Sequence, residues 1–296
     1  MNNKYTFLEY PKLQTIAFSN ALLGLCYQAR MSQKEGVIFD LSKTEFLTPF
    51  GIVLLAGTLS ECLSLGKEAR YQEPKKRITK EFLAGIGFNN FFQIKSINHR
   101  IESPNVQLKR IYSLDYSLID QILEVFGNFI HMSEGVKCSL KLALNELMTN
   151  VFDHSESKEG CYVCAQSYPQ EKKIRLCIAD FGIGILASLR KIPQYGSLNN
   201  CYESIKLATQ EGVTSRVGKQ AGYGLSHINR FIEVNEGKMY ILSGDGKAVW
   251  NYTGQKKRRK EKQTMQHPLQ GTLIELEINA DKEGFYFLSS EEDDLF

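Results

Sequence analysis

An apolar stretch without a charged residue, Phe46 to Ser60, constrains the fold most, because such a run has to be kept from water. It is too short to cross a bilayer as a helix, which needs about 20 residues, and it contains Pro49, Gly51 and Gly57. Apolar residues after Gly51 recur at helical spacing, and Gly66 stops the pattern as a glycine beyond a helix end does. The sequence therefore predicts a strand end that runs into a buried helix.

Composition and charge describe an ordinary folded protein. The chain has 296 residues, of which 43% are hydrophobic, and this length favours two domains as a prior. Lys and Arg number 36 against 33 for Asp and Glu, a net charge of +3. This balance lacks the basic bias that indicates a nucleic-acid partner.

The seven cysteines are scattered along the chain. Cys161 and Cys164 have C-x-x-C spacing, but the residues between them are typical of a strand, and no second pair or histidine cluster completes a zinc site. We therefore interpret the cysteines as structural thiols in a reduced, cytoplasmic protein. The N-terminal residues show no signal-peptide pattern, and no membrane association is predicted.

The first third of the sequence alternates short strands with helices. Val37 to Leu41 is an apolar, β-rich run, Ala69 to Tyr71 starts a further strand, and Thr79 to Ile86 is an amphipathic helix closed by Gly87. This order predicts an α/β unit. The polar segment Lys95 to Gln107 then marks a boundary.

Helices precede strands in the second half. Helical periodicity extends over Ser117 to Met132 and Val136 to Phe152, and strand patterns extend over Lys173 to Asp180, Lys238 to Leu242 and Thr272 to Asn279. This order predicts an α+β sandwich. The predicted domains are residues 1–98, a linker at 99–112, a second domain at 113–281 and an acidic tail at 282–296.

The basic run Gln255 to Gln263 interrupts these patterns. Its position between two strand candidates predicts a solvated hairpin loop, and a docking site for an acidic partner or nucleic acid is the alternative.

The helix Val136 to Phe152 places Glu146 and Asn150 one turn apart on one face. An amide oxygen can bind Mg²⁺, which prefers oxygen ligands and keeps waters and phosphates as the others. A carboxylate one turn away can accept a proton from the group that attacks a γ-phosphate. His154 continues the row. The alternative is an exposed polar helix face.

The segment Asp180-Phe181-Gly182-Ile183-Gly184 directly follows a predicted strand. Its aspartate can accept a hydrogen bond from an adenine amino group, and its glycines let the backbone approach a ligand closely. The segment is not a dinucleotide fingerprint, which would need a third glycine and a βαβ context. It is also not a protein-kinase D-F-G motif, because the sequence has no H-R-D loop. An ordinary turn remains the alternative.

A glycine-rich segment, Gly212 to Ile228, leads into a helical pattern at Gly222-Tyr223-Gly224-Leu225. Backbone N–H groups at a helix start bind phosphate well. Small, polar or basic residues upstream suit a lid over polyphosphate: Thr214, Ser215, Arg216 and Lys219. The spacing does not match a P-loop. Further on, Gly271-Thr272 opens the last strand, where the hydroxyl could meet the adenine.

These four segments, in this order, resemble the motifs of the GHKL superfamily, which includes gyrase-type and MutL-type ATPases, Hsp90 chaperones, sensor histidine kinases and anti-sigma-factor serine kinases. The segments are N-E-L-M-T-N, D-F-G-I-G, G-Y-G-L and G-T, and the resemblance around them covers about 165 residues. The resemblance implies a Bergerat-fold sandwich that binds ATP and Mg²⁺. It implies Asn150 as the metal ligand, Glu146 as the general base, Asp180 and Thr272 at the adenine, and glycine-rich loops at Gly182, Gly184, Gly222 and Gly224.

The histidines bear on the branch of the superfamily. Sensor kinases carry a phosphoacceptor histidine in a helical hairpin before the ATP domain, and here only His99 and His131 precede the Glu146 helix, without such a hairpin. The combination of Glu146, Asn150 and His154 is more similar to the anti-sigma-factor serine-kinase branch.

The N-terminal region resembles STAS domains such as anti-sigma-factor antagonists over about 90 residues, through V-I-F-D-L-S-K-T-E-F-L-T-P-F-G-I and L-G-K-E-A-R-Y. In that family the helix opens with D-S-S-G, whose first serine is phosphorylated. The matching residues here are Thr48, Pro49, Phe50 and Gly51, and proline has no hydroxyl. We therefore expect no phosphorylation at that position and a fixed docking or dimerising module.

Two functions follow from these resemblances. The first is a Mg·ATP-binding regulatory protein that phosphorylates a partner, such as a separate STAS-like protein. The second is an ATPase or occupancy switch in which ATP closes a lid over Lys219 and alters partner docking. A homodimer is left open.

Overall fold

The computed structural model describes residues 4–89, 105–128, 130–210, 212, 224–254, 259–279 and 285–286. Two sheets organise these residues. A three-stranded sheet has the strand order β1-β3-β5, and a five-stranded sheet has the order β10-β11-β9-β8-β6. The first is parallel, and the neighbours in the second all run antiparallel.

Residues 4–89, called the N-terminal unit below, alternate strands and helices as the sequence predicts. In chain order its elements are β1 (Tyr5–Glu9), β2 (Leu13–Gln14), α1 (Ser19–Met31), β3 (Gly36–Asp40), β4 (Phe46–Leu47), α2 (Pro49–Ser64), β5 (Glu68–Gln72) and α3 (Arg77–Gly85).

The remaining elements build the five-stranded sheet, the helices on one of its faces and a separate pair of short strands. In chain order they are β6 (Val106–Ile111), α4 (Tyr116–Gly127), β7 (His131–Met132), α5 (Glu134–His154), β8 (Cys161–Tyr168), β9 (Lys173–Asp180), α6 (Gly184–Arg190), α7 (Cys201–Ala208), α8 (Gly224–Val234), β10 (Lys238–Asn251), β11 (Arg259–Asn279) and β12 (Phe285–Tyr286).

Helix α2 confirms the predicted buried helix. It starts at Pro49, where a proline costs no hydrogen bond, and Gly66, at φ +75°, follows its end. Every residue from Pro49 to Cys62 is buried. A helix that is apolar on all sides has to be enclosed by protein, and α2 packs with the three-stranded sheet on one side and with β8 and β9 on the other.

Alternate residues of the five-stranded sheet face two different cores. In β9, Ile174, Leu176 and Ile178 pack with the helices α4, α5 and α8, whereas Cys177 and Ala179 pack with α1 and α2. The thiols of Cys161 and Cys164 are likewise buried on opposite faces. They cannot share a metal ion.

Two buried charged side chains fix the N-terminal unit to the sheet. Lys247 Nζ donates to the carbonyl of Ile16 at 3.1 Å and to Ser19 Oγ at 3.0 Å. The carboxylate of Glu275 lies against the backbone N–H of Phe50, at the start of α2. Burial raises the pKa of Glu275 to about 8, although Arg175 opposes this shift.

Several element boundaries differ from the prediction. Residues 106–111, predicted as part of the linker, form β6 at the edge of the five-stranded sheet. The domain boundaries themselves stay a prediction. Helix α4 ends at Gly127 rather than Met132 because residues 131–132 pair with β12.

Strands β10 and β11 are longer than predicted, since they pair as far as Asn251 and Arg259. Residues 259–263 of the basic run are therefore strand rather than loop. Residues 255–258 of that run lie outside the described residues. Within the described ranges, no helix is both long and apolar enough to cross a bilayer.

Candidate functional site

A cavity lies between α5, α6, α8 and the adjoining ends of β9 and β11. It is lined by Leu147, Asn150, Val151, His154, Ser155, Asp180, Gly184, Ile185, Ser188, Leu189, Ala208, Leu225, Thr272 and Ile274. The lining brings together residues from all four predicted motifs, although these are far apart in the sequence.

Asp180 is the buried carboxylate of this cavity, with 3% of its surface exposed. It ends β9, and its Oδ1 accepts a hydrogen bond from the backbone N–H of Gly182 at 2.9 Å. Burial raises the pKa of Asp180 to about 7, and the backbone N–H groups of Gly182 and Thr272 oppose this shift. Thr272 is the residue directly across from Asp180 on β11, so the two side-chain positions adjoin.

Ser243 supports the cavity and is a residue that the sequence analysis missed. Its hydroxyl accepts a hydrogen bond from the backbone N–H of Ile185 at 2.9 Å and donates to the carbonyl of Gly271 at 3.0 Å. It thereby joins β10, β11 and the start of α6. The serine carries no motif signal, because its role depends on strand pairing rather than on its neighbours in sequence.

Gly184 begins α6 in a backbone conformation that disfavours side chains. Its φ is +75°, and a Cβ there would lie 2.8 Å from Ser243 Oγ and 3.0 Å from the carbonyl oxygen of Gly271. The position therefore requires glycine for both its dihedral angle and its close packing.

Asn150 and Glu146 lie one turn apart on α5, but only Asn150 lines the cavity. Glu146 packs against the first residue of α8. A Cβ at Gly224 would lie 2.9 Å from the Cβ and 3.0 Å from the Cγ of Glu146. Glycine at position 224 thus lets α8 start directly over Glu146.

The rest of the lining is mostly apolar, with Leu147, Ile185, Leu189, Leu225 and Ile274 around the polar groups. An apolar cavity with a few convergent polar groups is the usual form of a small-molecule site. The backbone N–H of Ile183 also donates to the carbonyl of Ser155 at 2.7 Å, which ties the loop after β9 to the end of α5.

The predicted site residues fall into two groups. The described ones are Glu146, Asn150, Asp180, Gly182, Gly184, Gly224, Leu225 and Thr272, and five of these line the cavity. The others lie outside the described residues, namely Thr214, Ser215, Arg216, Lys219 and Gly222. Their predicted contribution to a lid stays a prediction.

Comparison with known families identifies the class of this domain. Residues 135–282 match the family described as histidine kinase-, DNA gyrase B-, and HSP90-like ATPase. This stretch contains both Asn150 and Asp180, and it extends over half of the chain. The protein belongs to this family and therefore carries a GHKL-type ATP-binding domain within a mixed α/β fold. The match implies an ATPase or a kinase.

Solved structures and curated proteins add little to this assignment. The chain is similar to the ATPase region of Saccharomyces cerevisiae topoisomerase II, at 13% identity and a TM-score of 0.27, over 59% of this chain and 44% of that one. A second structure of that region, bound to ICRF-187 (dexrazoxane), gives 12% identity, the same TM-score and the same shares. The match thus spans less than half of either topoisomerase chain. No curated protein matches.

Proposed function

We propose that the protein is a Mg·ATP-binding regulator similar to the anti-sigma-factor kinases, which controls a partner protein by phosphorylation or by ATP-dependent binding. The observation that carries the proposal is the meeting of Asn150, Asp180 and Thr272 in one cavity of a GHKL-type domain. These side chains come from α5, β9 and β11.

The residues of the cavity suit a magnesium nucleotide. Asp180 and Thr272 would hold the adenine, with the carboxylate accepting from the amino group. The apolar side chains would exclude water around the base. Asn150 would hold Mg²⁺ through its amide oxygen, as a hard ion prefers. Bound Mg²⁺ would supply positive charge that offsets the charge of the phosphates.

Glu146 would act as the general base in a kinase or an ATPase. It sits one helical turn from Asn150, so a carboxylate and a metal ligand project from neighbouring turns of α5. A base so placed would take the proton of the hydroxyl or water that attacks the γ-phosphate.

The N-terminal unit would be a STAS-like docking module. Its parallel sheet with adjoining helices is compatible with this fold. Pro49, which matches the phosphorylated position of STAS antagonists, is buried at the start of α2 and has no hydroxyl, so a kinase could not modify it. The substrate would therefore be a separate protein, for which another STAS-like protein is the candidate. A homodimer and a cytoplasmic location remain predictions.

A second candidate function is a nucleotide-occupancy switch without phosphoryl transfer. The packing of Glu146 against Gly224, rather than along the cavity, favours this alternative. In a switch, ATP would change partner docking while its γ-phosphate stays intact.

The fate of the γ-phosphate tests both candidates. Purified protein is incubated with γ-labelled ATP and Mg²⁺, with and without cell extract, beside the variant Glu146→Ala. Label on one protein that disappears with the variant supports a kinase. Free phosphate supports an ATPase, and bound but intact ATP supports a switch. A chain that leaves ATP both unbound and unchanged contradicts the proposal.

A further inference from the structure

Phe181 lies between two residues of the nucleotide motif but faces the N-terminal unit. Asp180 before it lines the cavity, whereas the ring of Phe181 is buried in the core formed with α1 and α2, at 6% exposure. The ring meets Tyr162 edge-on, with centroids 5.5 Å apart. One segment of backbone therefore belongs to both faces of the five-stranded sheet.

The ring rests on helix α2 at Gly57. A Cβ added at Gly57 would lie 1.9 Å from both Cε2 and Cζ of Phe181. A glycine inside a helix costs about 1 kcal/mol relative to alanine, and here it allows an approach that no other residue would allow. Gly57 is in the middle of α2, where all the surrounding residues are buried.

Helix α1 is linked to Phe181 by two hydrogen bonds in series. Arg30 Nη1 donates to Gln270 Oε1 at 3.0 Å, and Gln270 Nε2 donates to the carbonyl of Phe181 at 3.4 Å. Helix α2 thus contacts the ring of Phe181 directly, and helix α1 is linked to its backbone through Gln270 of β11.

We infer that the N-terminal unit positions the loop from Asp180 to Gly184. Gly57 and Gln270 would act on this loop through Phe181. The inference rests on the proposed ATP function. Asp180 precedes Phe181 directly, so a shift of the ring moves the carboxylate that would hold the adenine. Gly57 and Gln270 are positioning residues, and neither lines the cavity.

This arrangement gives the chain a route for regulation. A partner that binds the N-terminal unit and shifts α2 would change ATP affinity. Linkage requires that ATP then change the affinity for that partner by the same factor.

The test uses the full chain with Gly57→Ala and, as a matched control, Gly127→Ala in α4, where a Cβ would meet nothing within 4 Å. We expect Gly57→Ala to weaken Mg·ATP binding by about tenfold and Gly127→Ala to leave it unchanged. Amide hydrogen exchange without nucleotide should become faster at Gly182 to Ile185 in Gly57→Ala alone. Circular dichroism checks that each variant is folded.

A double variant distinguishes an effect on the position of the loop from a general loss of stability. Phe181→Leu removes the outer ring carbons, so adding Gly57→Ala to Phe181→Leu should cost less ATP affinity than adding it to the wild type. Costs that are the same in both backgrounds would overturn the inference.

Gln270→Ala provides an exposed variant that should fold even if Gly57→Ala does not. Gln266→Ala, exposed on the same strand, is its control. We expect Gln270→Ala to weaken ATP binding a few-fold and to speed exchange at Gly182. Exchange and affinity equal to the Gln266→Ala values would overturn the inference. A wild-type chain that binds no ATP would instead remove the proposed function, while the exchange experiment still tests the positioning.

Discussion

The two faces of the five-stranded sheet bury alternate residues of the same strands, but the polar groups on the two faces have different surroundings. Towards α5 and α8, Asp180 and Thr272 line a cavity. Towards α1 and α2, Lys247 and Glu275 contact backbone groups of the N-terminal unit. Polar groups of the first face can bind a ligand, whereas those of the second hold two parts of the chain together. Apart from Phe181 and the residues that contact it, substitutions should therefore affect nucleotide binding on the first face and stability on the second.

The largest expected effect is on turnover. Glu146→Ala should still bind ATP but lose γ-phosphate turnover by about 10²- to 10⁴-fold, because a general base acts on the attacking group and contributes little to ground-state binding. Labelled phosphate release or transfer measures the effect, with Glu134→Ala at the start of the same helix as the control. Turnover retained in Glu146→Ala would remove this residue from the mechanism.

Asn150→Ala should have the next largest effect, the loss of Mg²⁺-dependent ATP binding, because the amide oxygen is the proposed metal ligand. Calorimetric titration with and without Mg²⁺ measures it. Asn145→Ala, on the same helix but outside the cavity lining, should bind as the wild type does. Unchanged binding by Asn150→Ala would disprove the metal assignment.

Asp180→Asn should weaken ATP binding by about tenfold, because the carboxylate is the proposed hydrogen-bond acceptor for the adenine. The same substitution should stabilise the unliganded fold, because a buried charged carboxylate is unfavourable. The pKa of Asp180 is raised from 3.8 to about 7 on folding. Its charged form therefore lowers the free energy of unfolding increasingly as pH rises from about 4 to 7, by at most about 4 kcal/mol.

Urea unfolding at several pH values measures this cost. The variant should gain stability over the wild type as pH rises through that window, with a constant gain above about pH 7. A gain that does not depend on pH would contradict the burial argument for Asp180.

Glu275→Gln should have the smallest effect on the nucleotide, with ATP affinity kept within about twofold, because Glu275 faces the N-terminal unit. Burial raises its pKa from 4.5 to about 8. The wild type should thus lose stability as pH rises from about 4.5 to 8, and the variant should avoid about 2–4 kcal/mol of that loss. A large loss of ATP affinity in this variant would break the separation between the two faces.

The sequence predicted the cavity side of the sheet well because each motif there is local. Glu146 and Asn150 fall on one helix, Asp180 ends a strand, Gly224 begins a helix, and Thr272 lies on a strand beside Asp180. Helical and strand periodicity, together with glycines at turns, carry this information within short windows of sequence.

The opposite face depends on contacts between distant residues and could not be predicted in this way. The contact of Phe181 with Gly57 and that of Lys247 with Ser19 join positions that share no pattern. Strand β6 looked like a linker because an edge strand among polar residues has weak alternation. Residues 259–263 were predicted as a loop because charged residues are not typical of a strand. Their strand structure depends on pairing with β10, which the local sequence does not indicate.

The most direct test of the central claim is a calorimetric titration of the full chain with a non-hydrolysable ATP analogue, in Mg²⁺ and in EDTA. We expect one nucleotide to bind per chain with Mg²⁺, and much weaker binding in EDTA. The absence of binding in Mg²⁺, with the chain shown to be folded, would contradict the assignment of this cavity as a Mg·ATP site.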